Sequence, residues 1–317
     1  MDKYILSSSP HVRSSETTSS IMRDVIIALL PATVLGIVFF GLSALLVVLL
    51  SVVSAIAAEA VLQLLMKKKV TISDGSAAVT GLLLALNLPP SVPLYIPVIG
   101  SVFAIAIVKQ CFGGLGCNFI NPALAARAFL MVSWPPQMTT WTMPVDAVST
   151  ATPLAALKVA GAGAPSPYLD MFLGNVGGCI GETSALALII GGLYLIIRRV
   201  IDPRIPFVYI ATVALFTWVA GSEGLFSGDA LYHILAGGLM LGAFFMATDY
   251  ATSPMSGKGK VIFALGCGVL TSVIRLWGGY PEGVSYSILL MNLVVPLIDR
   301  AFKPRMFGHT ALKEAAK

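Results

Sequence analysis

The sequence predicts an all-α integral membrane protein of about ten apolar helices arranged as two inverted repeats. Three observations carry this. The 317-residue chain is 57% hydrophobic and only 11% charged, where a soluble domain has about 25% charged residues. Its apolar runs are continuous and close to the ~20 residues that a bilayer-spanning helix needs; a barrel would alternate apolar and polar positions. The two halves also carry similar stretches in the same order.

Hydropathy windows place the segments at roughly 25–41, 43–65, 75–88, 93–110, 119–133, 179–197, 205–220, 231–248, 260–277 and 284–300. Residues 1–24 read as a polar tail, without the apolar core and small-residue cleavage site of a signal peptide. Residues 25–133 form the first repeat, 134–178 a polar connection, 179–300 the second repeat and 301–317 a second tail. Segments three and eight are short and run into "NLPPSVP" and "ATDYATSP". Lipid does not tolerate exposed broken backbone, so both must be buried in protein or line a cavity. "VTGLLLALNLPPSVP" resembles "LGAFFMATDYATSP", and "VKQCFGGLGCNFINPALAARAF" resembles "VIRLWGGYPEGVSYSILLMNLV". Five segments per half is an odd number, so the second copy is inverted.

Positive charge sets the orientation. With the N-terminus in the cytoplasm, every Lys and Arg falls on the inside except Arg127, Lys158 and Arg275. The positive-inside rule therefore predicts cytoplasmic termini, with the connection 134–178 facing outward. The net charge of +5 is loop charge that fixes topology, with no nucleic-acid partner implied. Four scattered cysteines without a CxxC give neither a disulfide framework nor a metal site. Cys111 and Cys117 read as packing residues, and His11, His233 and His309 are isolated.

Polar residues in this background are the informative ones. The outward connection contains "DAVSTATPLAALK", in which Ser149, Thr150 and Thr152 follow Asp146. On composition alone this is either a Ser/Thr turn before Pro153 or a modification site. "GGLGCNFINPALAARAF" opens as a glycine-rich turn but lacks the βαβ context of a dinucleotide loop. Glu59, Asp74, Glu182, Asp249 and Asp299 lie in or beside the spans, where carboxylates are expensive and default to functional candidates. Asp299 adjoins Arg300, and Asp74 suits a helix N-terminus. Arg127, about eight residues into segment five, needs a buried carboxylate or a helix C-terminus.

The stretches "DGSAAVTGLLLALNLPP", "FGGLGCNFINPALAARAF", "DAVSTATPL", "IGETSALALIIGG", "GAFFMATDYATSP", "GKGK" and "GGYPEG", in that order, resemble the RnfD/NqrB family. Its members are the D component of the Rnf electron-transport complex and the B component of the sodium-pumping NADH:quinone oxidoreductase. The short N-terminal tail favours the Rnf member. The resemblance implies a ten-helix inverted-repeat bundle, similar to urea transporters, in the cytoplasmic membrane. It implies a membrane electron-transfer component of a ferredoxin:NAD⁺ oxidoreductase that moves Na⁺ or H⁺ and is not catalytic alone. Covalent FMN would sit as a phosphoester on Thr152, with Asp146, Ser149 and Ala151 completing the attachment motif and Thr150 standing where the family commonly has Gly. Attachment by an external flavin transferase asks for an exposed hydroxyl in a flexible segment. A second flavin, riboflavin, would meet Asn118 and Asn121, and Asp74, Asp249 and Glu182 would lie on an ion path. Partners implied are RnfA, RnfB, RnfC, RnfE and RnfG, the transferase and the lipid bilayer. The chain has neither a Rossmann fingerprint nor a cluster motif, so NAD and ferredoxin belong to sister subunits. The alternatives are a component of the quinone-reducing pump and a small-solute channel of the same fold.

Overall fold

The structure, a computed structural model, describes residues 16–144, 149–158, 166–221 and 224–303. All ten apolar segments are helical in it. The first half holds α1 (Thr18–Phe40), α2 (Leu42–Leu65), α3 (Ser76–Leu86), α4 (Tyr95–Phe103), which runs on as a π-helical stretch (Ala104–Gln110), and α5 (Pro122–Ser133). The connection holds α6 (Pro135–Met138), a two-stranded ribbon of β1 (Trp141–Thr142) and β2 (Ser149–Thr150), α7 (Pro153–Lys158) and α8 (Tyr168–Leu173). The second half holds α9 (Ala185–Ile197), α10 (Arg204–Val219), a ribbon of β3 (Ala220–Gly221) and β4 (Gly224–Leu225), then α11 (Ala230–Leu235) and α12 (Leu239–Leu241), with a π-helical continuation (Gly242–Met246). It closes with α13 (Gly257–Trp277) and α14 (Val284–Ala301).

Local chemistry sets these boundaries. Thr17 and Ser20 form a reciprocal capping box, so α1 begins at Thr18, inside what hydropathy assigned to the tail. Gly41, at φ 69°, turns the chain directly from α1 into α2. α3 stops because Asn87-Leu88 is followed by two prolines, which cannot continue a helix. α5 opens on Asn121, whose Oδ1 accepts from Ala123 N (3.0 Å) and Leu124 N (3.3 Å), with Pro122 at the first helical position.

Among the described residues four helices, α1, α2, α13 and α14, are long and apolar enough to cross a membrane. The remaining segments are shorter apolar helices or, in α11–α12, an interrupted one. At 1.5 Å per residue the 11 residues of α3 reach about 16 Å, roughly half a hydrocarbon core. Large apolar side chains such as Val38, Leu42, Val53, Leu65, Leu215 and Leu297 point outward and are exposed, while the polar residues Glu59, Lys109, Arg127, Glu182 and Asn292 are buried. Apolar side chains on the outside and paired polar ones within are what a lipid-solvated bundle requires.

α1 packs on α9, α2 on α3 and α4, α10 on α13, and α13 on α14. Small residues allow these close approaches. A Cβ at Gly191 would lie 2.0 Å from the Ala28 carbonyl oxygen, and one at Gly192 would lie 2.4 Å from the Phe244 ring. The first obstacle is backbone and cannot rotate away. Gly191→Ala is therefore expected to cost about 1–3 kcal/mol through overpacking, read as a lowered thermal midpoint of the detergent-solubilised chain. Gly279→Ala, which meets open space, is the matched control and should leave the midpoint in place.

Candidate functional site

Among the described residues, polar side chains converge in two places that each have a cavity beside them. The outer one, on the side that the charge pattern predicts to face outward, is built from the connection and the broken ends of the half-helices. β1 and β2 pair antiparallel, with Trp141 opposite Thr150 and Thr142 opposite Ser149. The chain then enters α7, and Thr152 is its N-cap: Oγ1 accepts from Ala155 N (3.2 Å) and the carbonyl from Ala156 N (2.9 Å). Pro153 follows at the first helical position, where its missing N–H costs nothing.

This corrects one expectation. Thr152 is only 4% exposed, because an N-cap hydroxyl turns inward to the first helical turn. Leu154 anchors α7 in a small apolar cluster with Met171, Val176, Tyr232 and Ala236, and Tyr232 OH donates to the Pro153 carbonyl (3.1 Å). Lys158 ends α7 on the carbonyls of Ile274, Gly278 and Tyr280 (3.2, 2.6 and 2.8 Å). Asp146 of the motif lies outside the described residues.

Beside this ribbon is a cavity of about 330 Å³. Thr150, Ala151 and Ala155 form one wall, Trp141, Tyr280 and Tyr286 supply aromatic surface, and Arg127 and Glu282 close one end. The Thr150 hydroxyl is buried there without a partner among the described residues. Such a site combines flat apolar rings, an orphaned hydroxyl and a guanidinium, a donor set that suits a planar polar heterocycle.

Arg127 is the centre of the polar cluster behind the cavity. Its Nη1 donates to Asn87 Oδ1 (2.8 Å) and Glu182 Oε1 (3.0 Å), and its Nη2 to Glu282 Oε2 (2.5 Å) and Cys179 Sγ (3.6 Å). The Cys179 thiol donates to the Asn87 carbonyl (3.2 Å). Arg275 is buried nearby and spends its guanidinium on the carbonyls of His233, Ala236 and Glu282. Arg127, Lys158 and Arg275 are the three cations that broke the positive-inside pattern, and all three are held by internal partners at this end of the bundle. Glu282 did not stand out in the sequence, although it lies in "GGYPEG"; the signal was the counter-ion demand of Arg127 and Arg275 in apolar surroundings.

The inner cavity, about 280 Å³, lies beside the breaks after α12 and before α5. Asn118, Asn121, Thr248 and Asp249 contribute its polar lining, Phe244 and Phe245 its aromatic surface. Asn118 donates to the Ile120 carbonyl (3.2 Å). Asn121 is largely committed, since its oxygen caps α5 and its Nδ2 donates to the Met246 carbonyl (3.3 Å). With its amide oriented to suit its neighbours, Asn292 donates to the Thr252 carbonyl and accepts from Asn121 N, both at 3.1 Å. Asp249 accepts from Thr252 Oγ1 (3.1 Å).

Other sequence candidates fall elsewhere. Asp74 sits before α3, where one oxygen accepts from Ser76 N (2.8 Å) and Oγ (2.7 Å), the geometry of a helix-end acid. Glu59 pairs with Lys109 (2.9 Å), and Gln63, Gln110 and Ser76 complete that buried network. Asp299 accepts from Met255 N (3.1 Å). Cys111 and Cys117 are exposed, contrary to the packing role expected of them, because the glycine-rich turn carries them onto the surface. Among the described residues the one cluster with metal-ligand spacing is Cys179, Glu182 and Glu282, and Arg127 already occupies it.

Removing Arg127 while leaving Glu182 and Glu282 would strand two buried carboxylates. Arg127→Ala is expected to destabilise the chain by about 3–5 kcal/mol, measured as loss of monodisperse protein in detergent at a temperature where the parent chain persists. A surface cation in a similar pair, Arg198 with Asp24 (3.3 Å), should tolerate the same change with less than about 1 kcal/mol.

A family model described as the NQR2, RnfD, RnfE family matches residues 5–308. The chain is 58% identical to the D component of the Na(+)-translocating ferredoxin:NAD(+) oxidoreductase complex of Acetobacterium woodii, covering 98% of both chains. It is 52% identical to the D component of the proton-translocating ferredoxin:NAD(+) oxidoreductase complex of Clostridium ljungdahlii, covering 96% of both. It is 42% identical to the D component of the ion-translocating oxidoreductase complex of Stutzerimonas stutzeri, covering 95% of this chain and 94% of that one.

Proposed function

This chain belongs to the NQR2, RnfD, RnfE family, and on that premise we propose that it is the D component of an ion-translocating ferredoxin:NAD⁺ oxidoreductase complex. Near-full-length similarity to two proteins named as that component, and to a third named as the D component of an ion-translocating oxidoreductase complex, supports this reading over the quinone-reducing pump and over a solute channel. Relatives named for Na⁺ and for protons are similarly close, so the transported ion is proposed as one of these two. The other Rnf subunits and a flavin transferase are its partners in this reading. The bundle is placed in the cytoplasmic membrane as ten segments in two inverted repeats, with both termini inside. The matching breaks after α3 and after α12 support the repeat.

The observation that carries the cofactor reading is the position of Thr150 and Ala151, from the "DAVSTAT" stretch, on the rim of an aromatic cavity. FMN, as a phosphoester on Thr152, supplies electron carriage when bound. Trp141, Tyr280 and Tyr286 offer ring surface, Thr150 an unused hydroxyl and Arg127 a fixed positive charge. Because Thr152 is buried as an N-cap, a transferase reaches its hydroxyl only when the first turn of α7 opens. The inner cavity is the place for the second flavin, riboflavin, with Asn118 the freer of the two asparagines. Asp249, on that cavity, is the stronger of the two inner ion-path candidates, since one oxygen of Asp74 is committed to helix capping.

Thr152→Ala is expected to abolish a flavin that survives denaturation, read as in-gel ultraviolet fluorescence and intact mass, while losing about 1 kcal/mol of capping energy. Thr152→Ser restores the cap. Fluorescence that persists in the alanine variant would move the acceptor to Thr150 or Ser149.

Orientation is tested by labelling intact cells with an impermeant thiol reagent. Leu157→Cys, exposed on α7, should react, and Lys68→Cys should not. The reverse pattern would overturn the topology.

For ion movement, Asp249→Asn should shift the Na⁺ concentration that supports half-maximal turnover in vesicles by severalfold with the covalent flavin intact. An unchanged Na⁺ response in the assembled complex takes Asp249 off the path.

A further inference from the structure

Two carboxylates share one guanidinium at the end of the outer cavity, and each has an oxygen to spare. Arg127 binds Glu182 Oε1 and Glu282 Oε2. The other oxygens, Glu182 Oε2 and Glu282 Oε1, are buried and meet no donor among the described residues. The Glu182 side chain is 2% exposed. One oxygen of each carboxyl group falls, with Cys179 Sγ, within 4.8 Å of the others.

Two buried acceptors without donors in a low-dielectric interior are costly, since a buried polar atom needs a partner. Neighbouring charges do not supply one. Arg127, from α5, is spent on the opposite oxygens; Arg275, from α13, on three carbonyls; Lys158, from α7, on three more; and the Cys179 thiol on the Asn87 carbonyl. The His233 ring, on α11, and Tyr280 and Tyr286, beside the cavity, are further titratable groups on this side, and none donates to these oxygens. Glu59 differs, because Lys109, Gln63 and Gln110 give hydrogens to its carboxylate.

We propose that Glu182 and Glu282 form a carboxyl–carboxylate dyad that holds one exchangeable proton and serves as the proton station of the outer cavity. The O–H of one carboxyl donates to the free oxygen of the other, and Arg127 balances the single remaining negative charge. Glu282 and Arg127 line the cavity, so the dyad lies at its wall. With the proposed flavin in that cavity, an electron from the oxidoreductase's own donor, reduced ferredoxin acting through sister subunits, would be matched by one proton passing from the dyad to that flavin, which leaves the flavin's net charge unchanged. One proton from the outer water then restores the dyad. The station role rests on the flavin reading above; the dyad itself does not.

The test is infrared spectroscopy of the purified, assembled complex, with and without ¹³C-glutamate. The wild type should show a hydrogen-bonded carboxylic-acid C=O band that moves with the label and with D₂O. Glu182→Gln or Glu282→Gln alone should remove it, because a single carboxylate on Arg127 needs no proton. A wild type without a labelled, exchangeable band overturns the dyad, as does a band that survives in either variant. The second readout is the midpoint potential of the covalent flavin against pH. One proton per electron gives a tenfold change per pH unit, about 59 mV, and the slope should flatten in both variants. An unchanged slope overturns the station role and leaves the dyad to the infrared result. A chain without covalent flavin would defeat the cofactor reading, while the infrared arm still decides the dyad.

Discussion

A single guanidinium ties the two halves of this bundle together. Arg127 belongs to α5 in the first half, and its acidic partners, Glu182 and Glu282, precede α9 and α14 in the second. Asn87, at the end of α3, is the fourth member. A charge this deeply buried is tolerated only when paired and hydrogen-bonded. The pairing thus demands that three chain breaks arrive at one point: the end of α3, the entry to α9 and the entry to α14. The remaining architecture follows from bringing unsatisfied backbone ends to that place and covering them with protein.

The broken helices meet this demand at both ends of the bundle. On the outer side, Ile180 N and Gly181 N donate to the Leu88 and Leu86 carbonyls (3.1 and 2.8 Å) freed by the prolines. On the inner side, Asn121 and Asn292 link the start of α5 to the Met246 and Thr252 carbonyls. Polar side chains therefore do what continued helix would otherwise do, and cavities remain where the chain stops short. The glycines of α9 let α1 and Phe244 come close enough to seal the bundle between these two polar ends.

The outer connection shows how a local rule and a chemical requirement meet at one residue. Thr152 precedes Pro153, and the hydroxyl proposed as the phosphoester acceptor also caps the helix that follows. The loop is folded against the bundle by Leu154, Tyr232 and Lys158. Access to Thr152 is consequently a matter of opening one helical turn, with the aromatic cavity already formed beside it.

Sequence periodicity and composition determined the lipid-facing character, the ten helical segments and the two interruptions. Each is a property of consecutive residues: a continuous apolar run, or a proline pair after Asn87. The three anomalous cations were also visible, and with them the requirement for buried partners. Which partners they take was decided only by tertiary structure. Glu282 lies 155 positions from Arg127 in the chain, and no local pattern relates them. Glu59, a carboxylate within a span by sequence, and Lys109 become a buried pair because α2 and the π-helical end of α4 face each other. The burial of Thr152 and the exposure of Cys111 and Cys117 reversed what composition suggested, because a cap turns inward and a glycine turn bulges outward. Residue order dictates which groups need partners; only packing brings residues distant in the chain to within hydrogen-bond length.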